Sequence, residues 1–279
     1  SYLGIKISLG GLSNIHKLAA DLLKDPYEKI KEAVLSAGNV NGDETSWSLR
    51  GKRQWAWTGA SSKATFFQID PARSQEAFKR VFGGFKNTLT TDRYRAYNLY
   101  EGKKQVCLAH ILRDFTKMGE RSGADGAIGR ILLAELKEIF AYWKKFTNAE
   151  VTRLELQELA KIHIENIKDA LSIGACAEQI GSKSQALCCD LLDRFTALWT
   201  FLEQEGVEPT NNLAERGLRP LVIARKLLNG SQSEWGIKFS ERLMTVVCTL
   251  KQQTENVFQY LTRVFYARLE NGPAPPVFQ

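Results

Sequence analysis

The chain has 279 residues, of which 44% are hydrophobic and 25% are charged. This composition is typical of a soluble globular protein, and the length suits one large domain or two ordinary ones. No uncharged apolar run reaches the roughly 18 residues that a membrane-spanning helix needs, so the sequence excludes a transmembrane segment. The 38 Lys and Arg residues exceed the 31 Asp and Glu residues, and the net charge of +7 favours an anionic partner such as nucleic acid.

The positive charge is concentrated in two segments of the chain. Residues 1–50 sum to 0, residues 51–123 to +8, residues 124–209 to −5 and residues 210–279 to +4. An acidic segment therefore separates two basic ones. We expect the basic segments to face an anionic partner and the acidic segment to serve another purpose, such as self-association.

The cysteines argue against a disulfide framework. There are five of them, Cys107, Cys176, Cys188, Cys189 and Cys248. Their odd number and irregular spacing, without a CxxC pair, predict free thiols in a reducing compartment. The N-terminus lacks a basic segment followed by an apolar core, so no signal peptide is predicted.

The periodicity predicts helices around a short run of strands. Residues 11–37 are predicted to be helical, since Leu12, Ile15, Leu18 and Leu22 recur at helical spacing. The predicted strands are 38–43, 53–58, 64–69, 86–91 and 104–109, with a helix over 75–82 between the third and the fourth. Helical patterns follow over 128–146, 154–171, 184–202 and 210–270, the last interrupted at Pro220 and Gly230, before a tail that begins near residue 271. The order predicts a mixed α/β core with a largely helical second half.

Three carboxylates occupy informative positions in this order. Asp43 is predicted at the end of the first strand, Asp92 at the end of the fourth, and Glu215 early in a helix that Thr210 could cap. Carboxylates brought together repel one another unless a cation lies among them, which is the arrangement of a two-metal phosphoryl-transfer site. All-oxygen ligands suit Mg²⁺ or Mn²⁺. A single acidic residue is more often a solvated surface group, so the element order is what favours the site.

Five sequence blocks resemble a known family. They are Gly42–Trp47, Gly51–Trp57, Thr91–Tyr97, Cys107–Phe115 and Asn211–Lys226, of which the run Asn-Asn-Leu-Ala-Glu-Arg at 211–216 is the most specific. Together they are similar to the insertion sequence 66 family of bacterial transposases, over roughly residues 5–270. The resemblance implies an α/β, ribonuclease H-like core: a five-stranded mixed sheet with flanking helices, interrupted by an all-helical insertion. It also implies an Asp-Asp-Glu triad on Asp43, Asp92 and Glu215.

The resemblance further implies a domain layout and an activity. The implied layout is a helical lead-in over 1–37, the core over 38–123, the insertion over 124–209, the C-terminal core helices over 210–270 and a tail over 271–279. The implied activity is metal-dependent cleavage and transfer of DNA strands by a bacterial, cytoplasmic and nucleoid-associated transposase. Element ends and target DNA would be its partners, bound by a homo-oligomer and with no membrane involved. The chain begins at Ser1, and the family's upstream DNA-recognition region is expected to lie outside it.

Some positions depart from the family pattern. Asn41-Gly42, Leu108 and Trp235 replace residues that are commoner there, so DNA contacts are expected to differ. Two alternative functions therefore stay open: a catalytically silent module that binds DNA or assembles, and a structure-specific nuclease on the same core.

Basic residues near the carboxylates are candidate DNA ligands. They are Arg93, Arg216, Arg219, Arg225 and Lys226, to which the family resemblance adds His110, implied to lie near the carboxylates and to orient one of them or contact the phosphate. Arg219 could instead pair with Glu215 four residues earlier in one helix. Cys107 and His110 could suggest zinc, but tetrahedral zinc needs four ligands, so Cys107 is predicted to be a buried residue of the fifth strand.

Overall fold

The computed structural model describes residues 6–278 and shows a mixed α/β fold. Its five strands are β1 (Asn39–Leu49), β2 (Lys52–Ala60), β3 (Thr65–Asp70), β4 (Thr88–Thr91) and β5 (Lys104–Val106). They form one sheet in the order β3-β2-β1-β4-β5, with β1 antiparallel to β2 and parallel to β4. This architecture confirms the predicted fold class and is consistent with a ribonuclease H-like core.

The chain forms two compact units, Ser1–Gly102 with Asn211–Gln279, and Lys103–Thr210. The helices, in chain order, are α1 (Leu9–Leu22), α2 (Lys24–Leu35), α3 (Gln75–Phe82), α4 (Leu108–Gly119), α5 (Gly123–Thr147), α6 (Arg153–Cys176), α7 (Ser182–Asp193), α8 (Thr200–Glu203), α9 (Asn212–Leu228), α10 (Glu234–Gln252) and α11 (Val257–Leu269). Short 3₁₀ turns cover Arg95–Leu99 and Phe195–Leu198. None of the helices within residues 6–278 is both long and apolar enough to cross a membrane.

Strand β1 is longer than its sequence pattern predicts. The prediction ended it at Asp43, but pairing with β2 continues to Leu49 opposite Lys52. The two strands are joined by Arg50 and Gly51, whose φ values of 50° and 78° give the left-handed conformation that a two-residue hairpin needs. Asp43 therefore lies in the middle of a strand rather than at its end.

Other predicted boundaries also shift. The helical segment at 11–37 is two helices that meet at Leu23, and the fifth strand ends at Val106 because α4 begins at Leu108. The prediction that Cys107 lies on that strand is wrong, since this buried residue is the N-cap of α4. The predicted interruption at Pro220 is also wrong, because α9 continues through it. Packing of the neighbouring Leu218 and Leu221 compensates for the hydrogen bond that proline cannot donate.

The two faces of the sheet are covered by different elements of the first unit. One face carries Val40, Trp57, Phe66 and Leu89, which belong to a cluster of buried residues drawn also from α2, α3 and the C-terminal helices. The opposite face carries Trp47, Ala56 and Phe67, which pack against Leu218 and Leu221 of α9 and Cys248 of α10. Because side chains alternate along a strand, every second residue of β1, including Asp43, points toward α9.

Helix α10 satisfies the outer edge of the sheet. The backbone N–H groups of Thr65, Phe67 and Ile69 donate to Thr249 Oγ1 (3.1 Å), Thr245 Oγ1 (2.9 Å) and Glu241 Oε1 (2.5 Å). Residues four apart on a helix are about 6 Å apart along its axis, close to the roughly 6.6 Å between alternate strand residues. The helix therefore presents its oxygens at the spacing of a neighbouring strand. Burial raises the pKa of Glu241 to about 7, although the Ile69 N–H opposes this.

The second unit is helical apart from β5. Its core includes Leu132 and Leu136 of α5 and Leu156, Ile167 and Leu171 of α6. Arg121, Asp125 and Ser184 are linked by hydrogen bonds, and Asp125 also accepts from the Gly181 N–H at 3.0 Å, which ties the start of α5 to the start of α7. The unit begins at Lys103 and ends at Thr210. The helical insertion predicted at 124–209 has a later start, and its bounds stay a prediction.

The side-chain oxygens of Glu241, Thr245 and Thr249 form a ladder of acceptors for β3, here called the hydroxyl ladder. Isosteric substitution tests its contribution to stability. Thr245→Val or Thr249→Val should each lower the free energy of unfolding by about 1–3 kcal/mol, because a buried backbone N–H of β3 loses its acceptor. Urea denaturation measures this. The matched control is Thr262→Val, whose hydroxyl donates only within α11, to the Phe258 carbonyl. An equal loss in all three variants would contradict the proposed importance of the ladder.

Candidate active site

Asp43 and Asp92 lie on neighbouring strands of the first unit. The parallel register pairs Asn41 of β1 with Thr90 of β4, and continuing it by two residues places Asp92 beside Asp43. Adjacent strands are about 4.8 Å apart, and residues two apart share a face. The Asp43 carboxylate accepts the Glu44 N–H (2.8 Å) and the Asp92 carboxylate accepts the Tyr94 N–H (2.8 Å), which orients both groups.

Helix α9 brings Glu215 to the same face of the sheet. Glu215 precedes Leu218 by three residues, one helical turn, and Leu218 packs on the face that carries Asp43. The N-cap of this helix is Asn211, not the predicted Thr210, and its side chain does not cap the helix. The Asn211 Nδ2 donates instead to the Gly42 carbonyl at 2.8 Å, which attaches the start of α9 to β1 next to Asp43. Glu215 lies in the first turn, where the helix dipole favours a negative charge.

The far end of α9 is also attached to β1. The helix ends at Asn229 in the left-handed conformation, and Gly230 follows with a φ of 86°. An added Cβ at Gly230 would lie 2.4 Å from the Ser48 carbonyl oxygen, so only glycine permits this approach. The Ser231 N–H donates to the same carbonyl at 2.8 Å. Both ends of α9 are thus fixed along one strand.

The charges of Asp92 and Glu215 both act on Asp43. Burial, the adjacent Glu44 and the negative charges of Asp92 and Glu215 raise the pKa of Asp43 from 3.8 to about 7, while the hydrogen bond from the Glu44 N–H opposes the shift. Such repulsion disappears when the group is protonated or when a cation lies among the carboxylates. A cluster of carboxylate oxygens matches the preference of Mg²⁺ and Mn²⁺ for hard ligands.

Glu44 points to the opposite face of β1 and has different partners. Its carboxylate accepts from Arg73 Nε (2.7 Å) and Nη2 (2.6 Å) and from the Tyr97 hydroxyl. Burial raises the pKa of Glu44, partly offset by Tyr97 and Arg73. The Arg73 guanidinium lies 3.8 Å from the Tyr94 ring centroid. The sequence pattern does not predict this group, whose only signal is the acidic pair at 43 and 44 on a strand, where two neighbouring residues face opposite ways.

The candidate DNA ligands fall into distinct environments. Arg216, Arg219 and Lys226 of α9 are exposed, and Arg93 is half-buried. Arg225 Nη1 donates to the Ser46 carbonyl (2.6 Å) and to the Ser46 and Thr45 hydroxyls, so this residue also holds α9 on β1. His110 is a half-buried residue of α4 in the second unit, and its contact with DNA stays a prediction.

The chain is similar to several uncharacterized bacterial proteins. The uncharacterized protein y4qI of Sinorhizobium fredii (strain NBRC 101917 / NGR234) is 23% identical over 276 residues, covering 89% of this chain and 51% of the relative. The uncharacterized proteins y4hP and y4jD of the same strain are 22% and 24% identical, covering 99% and 80% of this chain and 56% and 48% of their own lengths. The chain therefore spans about half the length of the curated relatives it matches.

A family profile matches most of the chain. The profile of the family described as "Transposase IS66 family" matches residues 1–239, which include β1, β4, all of α9 and the acidic residues Asp43, Asp92 and Glu215. The match confirms the resemblance drawn from the sequence blocks: the chain belongs to the IS66 family of transposases.

Proposed function

We propose that this chain cuts and joins DNA strands by metal-assisted phosphoryl transfer, with Asp43, Asp92 and Glu215 as the metal ligands. Geometry carries the proposal: the strand register places Asp92 beside Asp43, and the hydrogen bond from Asn211 to the Gly42 carbonyl attaches the start of α9, whose first turn holds Glu215, next to Asp43. The charges of Asp92 and Glu215 add to burial in raising the pKa of Asp43. The family membership supports the same chemistry.

The residues fit a hard divalent cation. Mg²⁺ or Mn²⁺ held by the three carboxylates would supply positive charge that polarises a phosphodiester and stabilises its leaving oxygen. The chain itself contributes rigidity, since Asp43 and Asp92 lie on or directly after paired strands and Glu215 on a helix attached at both ends. The exposed Arg216 and Arg219 next to Glu215 would bind the DNA backbone.

The proposed reaction has two chemically similar steps. Attack of water on a phosphodiester would release a 3′-hydroxyl and a 5′-phosphate. Attack of that 3′-hydroxyl on a phosphodiester of a second strand would join the two strands and release a new 3′-hydroxyl. Neither step needs a covalent bond to the protein.

Strand cleavage and joining test the ligand assignment. Asp92→Asn and Glu215→Gln should each lower the rate of plasmid nicking with Mg²⁺ or Mn²⁺ by at least about a hundredfold, since the loss of residues that merely orient metal ligands already costs 10- to 100-fold. Joining of a labelled oligonucleotide to the plasmid should fall in parallel. EDTA should abolish both activities of the wild type.

The matched control is Glu270→Gln, an exposed acid just after α11, which should behave as the wild type. Nicking that is equal in the wild type and in Asp92→Asn would contradict the proposal and favour a silent DNA-binding module. Cleavage of branched DNA without joining would favour a structure-specific nuclease.

The pKa of Asp43 predicts a pH-dependent stability. In the folded chain the pKa is raised from 3.8 to about 7, so ionisation of Asp43 destabilises the native state. This cost is absent below about pH 4, increases as the pH rises toward 7 and is constant above that. Asp43→Asn should therefore gain stability over the wild type across this window, by about 1.4 kcal/mol per pKa unit.

Urea denaturation in EDTA at a series of pH values measures the difference. Asp21→Asn, at an exposed position of α1, is the control and should follow the wild type. A stability difference between Asp43→Asn and the wild type that stays constant from acid to neutral pH would show that Asp43 is not electrostatically strained. Saturating Mn²⁺ should stabilise the wild type more than Asp43→Asn.

A further inference from the structure

A cavity of about 280 Å³ lies in the first unit between residues 73–76 and residues 94–96. Arg73 and Glu76 line one side, and Tyr94 and Arg95 line the other. The second side begins two residues after Asp92, whose carboxylate accepts the Tyr94 N–H at 2.8 Å. The cavity is therefore joined through the backbone to the candidate metal ligands, but none of those ligands lines it.

One edge of the Arg73 guanidinium binds protein groups, and the other edge is available to a ligand. Its Nε and Nη2 bind the buried carboxylate of Glu44, and its guanidinium lies 3.8 Å from the ring centroid of Tyr94 and 4.9 Å from that of Trp55. Within residues 6–278 its Nη1 has no hydrogen-bond partner, and its side chain is 34% exposed. A guanidinium ordered in this way loses little entropy when its free N–H groups bind a ligand.

The other charges at the cavity set the sign of its ligand. Arg95 is exposed, and the described part of the chain gives its guanidinium no partner. The Tyr94 hydroxyl donates to the Arg73 carbonyl at 2.6 Å, so the ring is held beside the Arg73 guanidinium. Glu44, which pairs with Arg73, and the exposed Glu76 offset part of their charge, but among the described residues Arg73 Nη1 and the Arg95 guanidinium keep free N–H donors. Two guanidinium groups with free N–H donors favour an anion with several acceptor oxygens, such as a phosphate.

We propose that this cavity binds a phosphodiester group of the DNA strand that enters the Asp43, Asp92 and Glu215 site. The inference rests on the proposed function, because that function brings DNA to Asp92. Tyr94 lines the cavity and donates its N–H to the Asp92 carboxylate at 2.8 Å, so the cavity is near enough to hold the same strand. A phosphate held here would fix the strand's position relative to the carboxylates, which positive charge alone does not do.

Salt-dependent DNA binding tests the assignment. The probe is a fluorescein-labelled duplex of mixed sequence, followed by anisotropy with Ca²⁺ present, and a gel checks that the DNA stays uncut. Each phosphate contact that is lost should reduce the slope of log K against log salt concentration by about 0.9. Arg95→Ala should show this reduction without loss of thermal stability, because its side chain is exposed. Glu76→Gln should bind the duplex more tightly than the wild type.

Arg268→Ala is the matched control, since Arg268 is an exposed arginine of α11 that does not line the cavity. A second variant, Arg73→Lys, keeps a cation beside Glu44 but removes the free Nη1 donors, and its affinity for the duplex should fall several-fold. Circular dichroism and thermal unfolding confirm that each variant is folded.

The outcomes separate this assignment from the proposed function. The cavity assignment is overturned, and the proposed function stands, if the wild type binds the duplex and Arg95→Ala has the same salt dependence of binding as the wild type. The same conclusion follows if Arg268→Ala reduces the slope of log K against log salt concentration as much as Arg95→Ala does. Failure of the wild type to bind DNA overturns both. If inorganic pyrophosphate raises the melting temperature of the wild type but not of Arg95→Ala, while the DNA slopes are equal, the cavity binds free phosphate and the DNA assignment is wrong.

Discussion

The attachment of α9 to β1 is the constraint on which the candidate site depends. Asp43 and Glu215 are far apart in sequence, and this contact brings them to one face of the sheet. Three separate attachments maintain it: the bond from Asn211 to the Gly42 carbonyl, the bonds from Arg225 to β1, and the close approach of Gly230 to Ser48. Together with the packing of Leu218 and Leu221, they hold α9 on the sheet although the charges of Asp92 and Glu215 disfavour the ionised form of Asp43.

The sequence predicts the fold class, the order of the elements and the family better than it predicts where each element begins and ends. Strand and helix periods recovered the element order, and the block at 211–216 identified the family. The extension of β1 beyond Asp43 could not be predicted, because it depends on pairing with β2 through the hairpin at Arg50 and Gly51. The continuity of α9 through Pro220 likewise depends on tertiary packing, which overrides a local preference.

Two adjacent residues of β1 show how one strand can serve two chemical environments. Asp43 faces other carboxylates, whereas Glu44 faces Arg73 and Tyr97 on the opposite side. Glu44 is the more deeply buried of the two, and a buried carboxylate is tolerated when a cation and a hydroxyl satisfy it. Periodicity cannot separate these roles, since both residues read as polar positions in a strand. The role of each residue depends on the face of the strand to which its side chain points and on the groups that it meets there.

The hydroxyl ladder between α10 and β3 also restricts how this protein can evolve. A helix advances about 6 Å in four residues and a strand about 6.6 Å in two. The two spacings therefore differ by about 0.6 Å at each successive hydrogen bond. A residue inserted between Glu241 and Thr249 would turn the remaining helix by about 100° and point its oxygens away from the strand. An insertion or deletion there would break the ladder, whereas substitutions that keep the three oxygens would preserve it.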